Sequence, residues 1–341
     1  MPSTATVRPS ALTVALIGLG QVGQRHAEAF AGLAPEIRII GVADIDEARV
    51  ARVAAAYGTL AFTDYRELLD MAPDIAVIAL PHHLHREAGL AAAEVGSHIL
   101  MEKPLAHTLK DACAILESCR QQGVQITVSF VHRYRLELQR AARIITDGEI
   151  GVPAVAFDNF CSQGGTHPPS WVWEREKAGG GVLMYGAIHS LDRLRWLVDS
   201  EVDEVFARST TYSQDVNVED GLVATLAFEN GCLATLVANS PAYLVTPRAW
   251  DTQIYGSRGC VRVRTDEYVE YTGESRAHRL NVERDDHFGA QARSFVAAIQ
   301  QGTEPWITGE DGLRALEIAM AIYESSDSGR PVSLNDSGRS R

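Results

Sequence analysis

Over the first part of the chain, short apolar runs alternate with longer stretches whose apolar positions recur every three or four residues. Leu12 to Leu19, Ile37 to Ala43 and Ile75 to Leu80 are such runs, and Gln21 to Leu33, Asp46 to Tyr57 and Leu84 to Val95 are the stretches that follow them. An unbroken apolar run of this length suits a strand buried on both faces, and the wider spacing suits an amphipathic helix. The alternation therefore predicts βαβ units around a parallel sheet. It continues through a strand at His98 to Met101, a helix at Leu109 to Gln122 and a strand at Val124 to Val131, and there it stops. Beyond a helix at Leu136 to Asp147, strand-like runs fall at Val202 to Tyr212, Leu222 to Glu229, Cys232 to Asn239, Thr252 to Tyr255 and Cys260 to Arg264. Turn signals such as Glu229-Asn230-Gly231 and Gly256-Ser257-Arg258-Gly259 separate them closely, which favours antiparallel pairing. Two late helices, Phe288 to Gln300 and Glu310 to Ser326, precede a tail after Leu334 that reads as frayed. The expectation is an α/β chain: a doubly wound domain over residues 1–130, then an α+β domain over 131–341 with a large, mainly antiparallel open sheet.

Composition narrows the function classes. The 341 residues are 46% hydrophobic, enough for two cores. A formal net charge of −13 argues against a nucleic-acid partner, because neutralising phosphates needs clustered positive charge. Met1 to Ser10 lack an apolar core, and Ala11 to Gly20 is too short for a span, so neither secretion nor a membrane partner is expected. The five cysteines are scattered, with no zinc-type spacing; reduced thiols in the cytoplasm and no metal are the expectation.

The segment Gly18-Leu19-Gly20-Gln21-Val22-Gly23 closes an apolar run and opens a helical one. Glycines there allow a tight turn and close approach of backbone to a pyrophosphate at a helix N-terminus. Asp44 ends the next apolar run, where a carboxylate can accept from an adenosine ribose and repel a 2′-phosphate. NAD is thus expected, with NADP still compatible because Arg49 follows one helical turn later. Pro81-His82-His83-Leu84-His85 ends the strand beyond the sheet's switch point, where ligands bind. Solvated or helix-capping roles are expected for His82 and His83, and a metal site built from these histidines is disfavoured by their spacing.

With the glycine segment, Pro81-x-x-x-His85, Met101-Glu102-Lys103-Pro104-Leu105, and Gly179-Gly180-Gly181 running on to Tyr185, His189 and Asp192, the chain resembles the Gfo/Idh/MocA oxidoreductases. The resemblance extends through Thr308 to Glu317 and Gly329-Arg330-Pro331-Val332. It implies a Rossmann domain, an α/β domain whose sheet mediates a homodimer or homotetramer, and an active site between them. Pro81 and His85 would then lie at the cofactor, Lys103 beside the nicotinamide and the reacting hydroxyl, Glu102 and Pro104 in the turn that aims it, and His189 would be the acid/base. Many relatives have an aspartate where this chain has Tyr185, which leaves the tyrosine either bonding substrate and sharing proton transfer with Lys103, or merely packing. Asp192 either orients the imidazole or packs, and Arg133 either bonds substrate or forms an interdomain salt bridge. Trp171 and Trp173 offer faces on which a sugar can stack, although packing is the commoner use. Gly164 to Pro169 reads as a covering loop. The implied activity is NAD(H)-dependent oxidation or reduction of a secondary hydroxyl or ketone on a sugar, sugar derivative or cyclic polyol. A redox-neutral glycoside hydrolase or lyase of the same fold and a non-catalytic dinucleotide-sensing regulator are the alternatives.

Overall fold

A computed structural model of the chain describes residues 11–162, 169–212, 216–240, 248–273, 277–282 and 285–334. The first unit runs β1 (Leu12–Ile17), α1 (Gln21–Ala31), β2 (Ile37–Ala43), α2 (Glu47–Tyr57), β3 (Leu60–Phe62), α3 (Tyr65–Leu69), β4 (Ile75–Ile78), α4 (His85–Glu94), β5 (His98–Met101), α5 (Leu109–Gln122) and β6 (Ile126–Val128). Its six strands pair in parallel in the order β3-β2-β1-β4-β5-β6. The order reverses between β1 and β4, so their carboxyl ends open a crevice where βα loops diverge. β1 and β4 supply residues to the core on both faces of the sheet, as their unbroken apolar runs require.

The second unit runs α6 (Leu136–Thr146), β7 (Pro153–Cys161), α7 (Arg175–Ala178), α8 (Ile188–Val198), β8 (Val202–Thr210), β9 (Gly221–Phe228), β10 (Leu233–Asn239), β11 (Ala249–Gly256), β12 (Cys260–Arg264), β13 (Tyr268–Thr272), β14 (Ala277–Asn281), α9 (His287–Gln301), α10 (Gly309–Ser328) and β15 (Val332–Ser333). Nine strands form one sheet in the order β14-β13-β12-β11-β7-β10-β9-β8-β15. Every pair is antiparallel except β7 with β10. The central strand β7 escapes sequence reading because its pattern is inverted. Its inward positions are Ala156, Asp158 and Phe160, while Val155 and Phe157 point outward.

The chain does not leave the first unit for good near residue 130. Ala292, Phe295 and Val296 of α9 join the core formed by β1, β2, α1 and α2. Helix α10 bridges the two sheets: Cβ atoms at Gly309 and Gly312 would come within 2.4 Å of Leu116 and 2.5 Å of Val128. The covalent order is therefore two units, but packing returns α9 to the first, because the sheet face beside α1 needs apolar cover.

Candidate active site

The crevice at the carboxyl ends of β1, β4 and β5 encloses about 920 Å³ and is closed on its far side by Pro169, Trp171 and Tyr185 of the second unit. Gly18, Gly20, Gln21, Val22, Gly23, Asp44, Pro81, Glu102 and Lys103 all line it, as the sequence led one to expect. The glycines divide their work. Gly18 has φ +86° and a Cβ there would meet the Ala79 carbonyl at 2.3 Å, while a Cβ on Gly23 would meet the Gly18 carbonyl at 1.9 Å. These two are demanded by the turn itself. At Gly20, the N-cap of α1, a Cβ would meet nothing within 4 Å. It would instead fill open space at a helix N-terminus, so the residues present fit a bound pyrophosphate.

Asp44 is more heavily engaged than its motif reveals. Its carboxylate accepts from the Leu19 amide at 2.7 Å, from the Asp46 amide at 3.0 Å and from the Arg49 guanidinium at 3.1 and 3.2 Å. It braces the glycine turn and also holds Arg49 in the lining of the crevice. Two histidines depart from expectation. His85 does not line the crevice; it lies buried between the carbonyls of Pro104 and Leu80, each 2.9 Å from a ring nitrogen. His82 is not solvated, because its Nδ1 bonds the Ala178 carbonyl at 2.8 Å and Trp171 closes over it edge-on at 4.6 Å. It therefore pins the strand-end loop to the second unit. Trp173 lies outside the crevice wall.

Lys103 leaves the end of β5 in a turn fixed by Glu102. The Glu102 side chain accepts from the Lys103 amide at 3.1 Å and bonds buried His26 Nε2 at 2.9 Å. Burial works to raise the Glu102 carboxyl, but the bond to His26 and the charges of His26 and Lys103 outweigh it and hold it below its usual range. Glu102 is therefore an anchored carboxylate. The Lys103 ammonium donates to the Tyr185 carbonyl and stands 5.2 Å from the centre of the Tyr185 ring. Burial lowers its pKa, Glu102 opposes that, and Arg248 adds to it. Burial raises the Tyr185 phenol, so the hydroxyl stays protonated at neutral pH.

His189 lies one layer deeper, at 7% exposure. The glycine run before it permits the approach. A Cβ on Gly180 would lie 1.9 Å from the Tyr323 hydroxyl, and one on Gly181 would lie 1.8 Å from the Glu219 carbonyl. Buried Glu219 accepts from the amides of Gly181 at 2.8 Å and Leu183 at 3.1 Å and from the Tyr323 hydroxyl at 2.8 Å. It thus caps the π-helical turn Leu183–Ala187 that leads into α8. The His189 ring stacks on His132, with centroids 4.1 Å apart and planes 18° from parallel, and His132 meets Trp250 edge-on at 4.4 Å. Trp250 is fixed by bonds from its indole N–H to Asp158 at 3.0 Å and Ser190 at 2.9 Å. Burial, followed by the charges of Lys103, Arg193, Arg248 and Arg135, holds His189 well below the ordinary imidazole pKa. The ring is neutral at pH 7.

Arg133 and Asp192 do not meet this site through their side chains. They pair with one another through bonds of 3.1, 3.0 and 2.6 Å, and Arg133 also donates to Asp311 at 2.9 Å. With Asp192 fully buried and Arg133 nearly so, the pair locks α8 to the turn after β6. Asp192 therefore does not orient His189, whose Nδ1 is buried without a hydrogen-bond partner among the described residues. Residues that sequence reading missed are His132, Glu219, Arg248 and Trp250. None lies in a motif, and only His132 gave a signal, by standing next to Arg133. Gly164 to Pro168 of the expected covering loop lie outside the described residues.

A glycine-lined crevice at the sheet's switch point, with a lysine in its lining and a neutral imidazole from the second unit behind it, is the arrangement of a dinucleotide-dependent oxidoreductase. Residues 12–130 match the description "oxidoreductase family, NAD-binding Rossmann fold", and residues 138–262 match the GFO/IDH/MocA C-terminal domain. The chain belongs to the Gfo/Idh/MocA oxidoreductase family. It is 29% identical over 340 residues to the uncharacterized oxidoreductase YrbE of Bacillus subtilis (strain 168), covering 95% of this chain and 96% of that one. It is 25% identical over 336 residues to scyllo-inositol 2-dehydrogenase (NAD(+)) of the same organism, covering 94% and 96%. Among solved structures, levoglucosan dehydrogenase in complex with NADH and levoglucosan superposes with a TM-score of 0.88 at 25% identity, covering 95% and 99%.

Proposed function

We propose that this enzyme transfers a hydride between NAD(H) and a secondary hydroxyl or ketone of a sugar, sugar derivative or cyclic polyol. The observation that carries the reading is the Lys103 ammonium in the lining of the glycine-lined crevice, with the buried His189 ring of the second unit behind it and under the influence of the lysine's charge. Relatives named as sugar and inositol dehydrogenases support the substrate class. When bound, the nicotinamide supplies hydride acceptance or donation. Lys103 hydrogen-bonds the substrate oxygen and stabilises negative charge developing there. In oxidation the imidazole takes the hydroxyl proton, and Nε2 is the nitrogen left to do so because Nδ1 is buried. Reduction returns the proton by the same route. Asp44 favours NAD, while Arg49 beside it keeps NADP compatible.

We assign residues 1–130 to cofactor binding and 131–341 to substrate binding and assembly. A homodimer or homotetramer is supported by the outer face of the nine-stranded sheet. Val155, Phe157, Phe206, Val223, Leu233 and Tyr255 project there at 38–57% exposure, a broader apolar surface than a monomer ordinarily leaves open. Five free thiols fit a cytoplasmic enzyme. The test is a panel of sugars and inositols incubated with NAD⁺ while NADH absorbance is followed. Steady NADH formation, lost by about 100-fold or more in Lys103→Ala, is expected. Product formation without NADH accumulation would instead establish the redox-neutral hydrolase or lyase. A monomer by light scattering at micromolar concentration would overturn the assembly.

A further inference from the structure

We propose that the substrate carries an anionic group as well as its reacting hydroxyl, and that Arg248 selects it. The proposal rests on the hydride-transfer reading above. Arg248 immediately precedes β11, and Trp250, two residues on, shares its side of the strand. The Arg248 guanidinium lies 5.6 Å from the centre of the Trp250 ring, the same ring that His132 meets edge-on at 4.4 Å and that lies 5.9 Å from His189. The indole is immobilised from behind by Asp158, Ser190 and the Arg193 guanidinium at 4.6 Å. It gives Arg248 a rigid platform beside the imidazole pair.

Three neighbouring arginines are committed, while Arg25 lies over the Phe288 ring at 5.6 Å. Arg133 is held by Asp192 and Asp311, Arg135 by Asp266, and Arg193 by Thr252, Thr265 and Asp158. Arg248 has no ion pair or hydrogen bond among the described residues and faces solvent. Its charge bears on Lys103, Tyr185, His132 and His189, in keeping with its seat on the ring that lies 5.9 Å from His189. Asp266 draws it favourably, but that carboxylate already accepts from Arg135. Among the described residues the carboxylates that act on Lys103 and Arg248, Glu102 and Asp266, are already bonded elsewhere, and an oxidised nicotinamide would add a third positive charge. A substrate with a forked pair of anionic oxygens relieves that repulsion, and a guanidinium binds such a pair through two parallel N–H bonds.

The experiment compares D-gluconate and D-galacturonate with D-glucose and D-galactose as substrates for the full chain with NAD⁺, and adds D-glucose 6-phosphate to distinguish phosphate from carboxylate. In parallel, the binding of each compound to the NADH complex is read by tryptophan fluorescence. Anionic compounds are expected to have the higher kcat/KM. Arg248→Gln is expected to lower that value by about 10- to 100-fold through KM, with Arg248→Lys restoring part of it. D-glucose or D-galactose preferred over every anionic compound, with KM unmoved in Arg248→Gln, would overturn the proposal and leave the hydride-transfer reading standing. If no compound yields NADH, the hydride-transfer reading falls. Anion binding weakened at least about tenfold in Arg248→Gln would still support the assigned anion site, and its absence would overturn it.

Discussion

Removing Asp192 tests the claim that its role is structural, holding α8 against the turn after β6. Asp192→Ala deletes three bonds from Arg133, at 3.1, 3.0 and 2.6 Å, and leaves that buried guanidinium with Asp311 alone at 2.9 Å. Stripping one partner from a buried pair costs about 3–5 kcal/mol, since the other charge remains desolvated. The retained Asp311 sets the expectation near the lower end, about 3 kcal/mol. At roughly 2–4 °C per kcal/mol for mid-sized domains, the melting temperature should fall by about 6–12 °C. Urea titration of the native chain and the variant measures the free energy, and calorimetry the temperature. Because both charges are buried, replacing both with apolar groups removes the desolvation cost along with the attraction. Arg133→Met combined with Asp192→Leu should therefore recover most of the loss, while Asp311 keeps Arg195 at 3.4 Å and its own cap on α10. A loss below about 1 kcal/mol in Asp192→Ala, or a double variant as unstable as the sum of its singles, would refute this account.

The remaining predictions concern the crevice. Native enzyme should bind NAD more tightly than NADP, and Asp44→Ser should raise relative NADP affinity by at least about tenfold by releasing Arg49 toward a 2′-phosphate; native preference for NADP would contradict it. For oxidation, the base must be neutral, and burial with the Lys103 charge holds His189 well below its ordinary pKa, so kcat should persist as pH falls through about 6.5. An acid limb centred at or above that value would be incompatible. His189→Ala should lower kcat by about 100-fold or more, and Tyr185→Phe divides the two readings of the tyrosine: a comparable loss makes its hydroxyl a proton-transfer partner, whereas near-normal kcat leaves it as packing.

The parallel sheet was legible because strands buried on both faces must be continuously apolar: β2, β5 and the helix α5 begin and end where the pattern does. Val124 to Val131 read as one strand, but only Ile126–Val128 pairs, since the chain turns into a 3₁₀ segment at Val131. The second sheet was legible where apolar runs are set off by close turn signals, as at β9 and β10. At β7 a buried aspartate faces inward and Phe157 outward, which cancels the alternation that a strand reading depends on. In the site, Lys103 and the glycines were legible because backbone demands fix local residue types. The surroundings of His189 were not, because His132 and Trp250 reach its ring from separate elements and Glu219 caps the turn before it, and nothing in local spacing encodes a stacking contact or a carboxylate cap supplied from a distant loop.

The tyrosine at 185 gains a physical rationale from this arrangement. A carboxylate at that position would stabilise a protonated imidazole and raise its pKa, and it would also neutralise Lys103. Beside the backbone carbonyl that any residue there would offer, the Tyr185 side chain presents Lys103 with a ring face, which holds the ammonium without cancelling its charge. The uncancelled charge then bears on His189, second only to burial among the influences that keep the ring neutral. It also leaves the positive end of the crevice for the substrate to satisfy. The absence of a carboxylate at 185 and a guanidinium at Arg248 with no ion pair among the described residues are thus two sides of one electrostatic condition: in this chain the negative charge at the reacting centre has to arrive with the ligand.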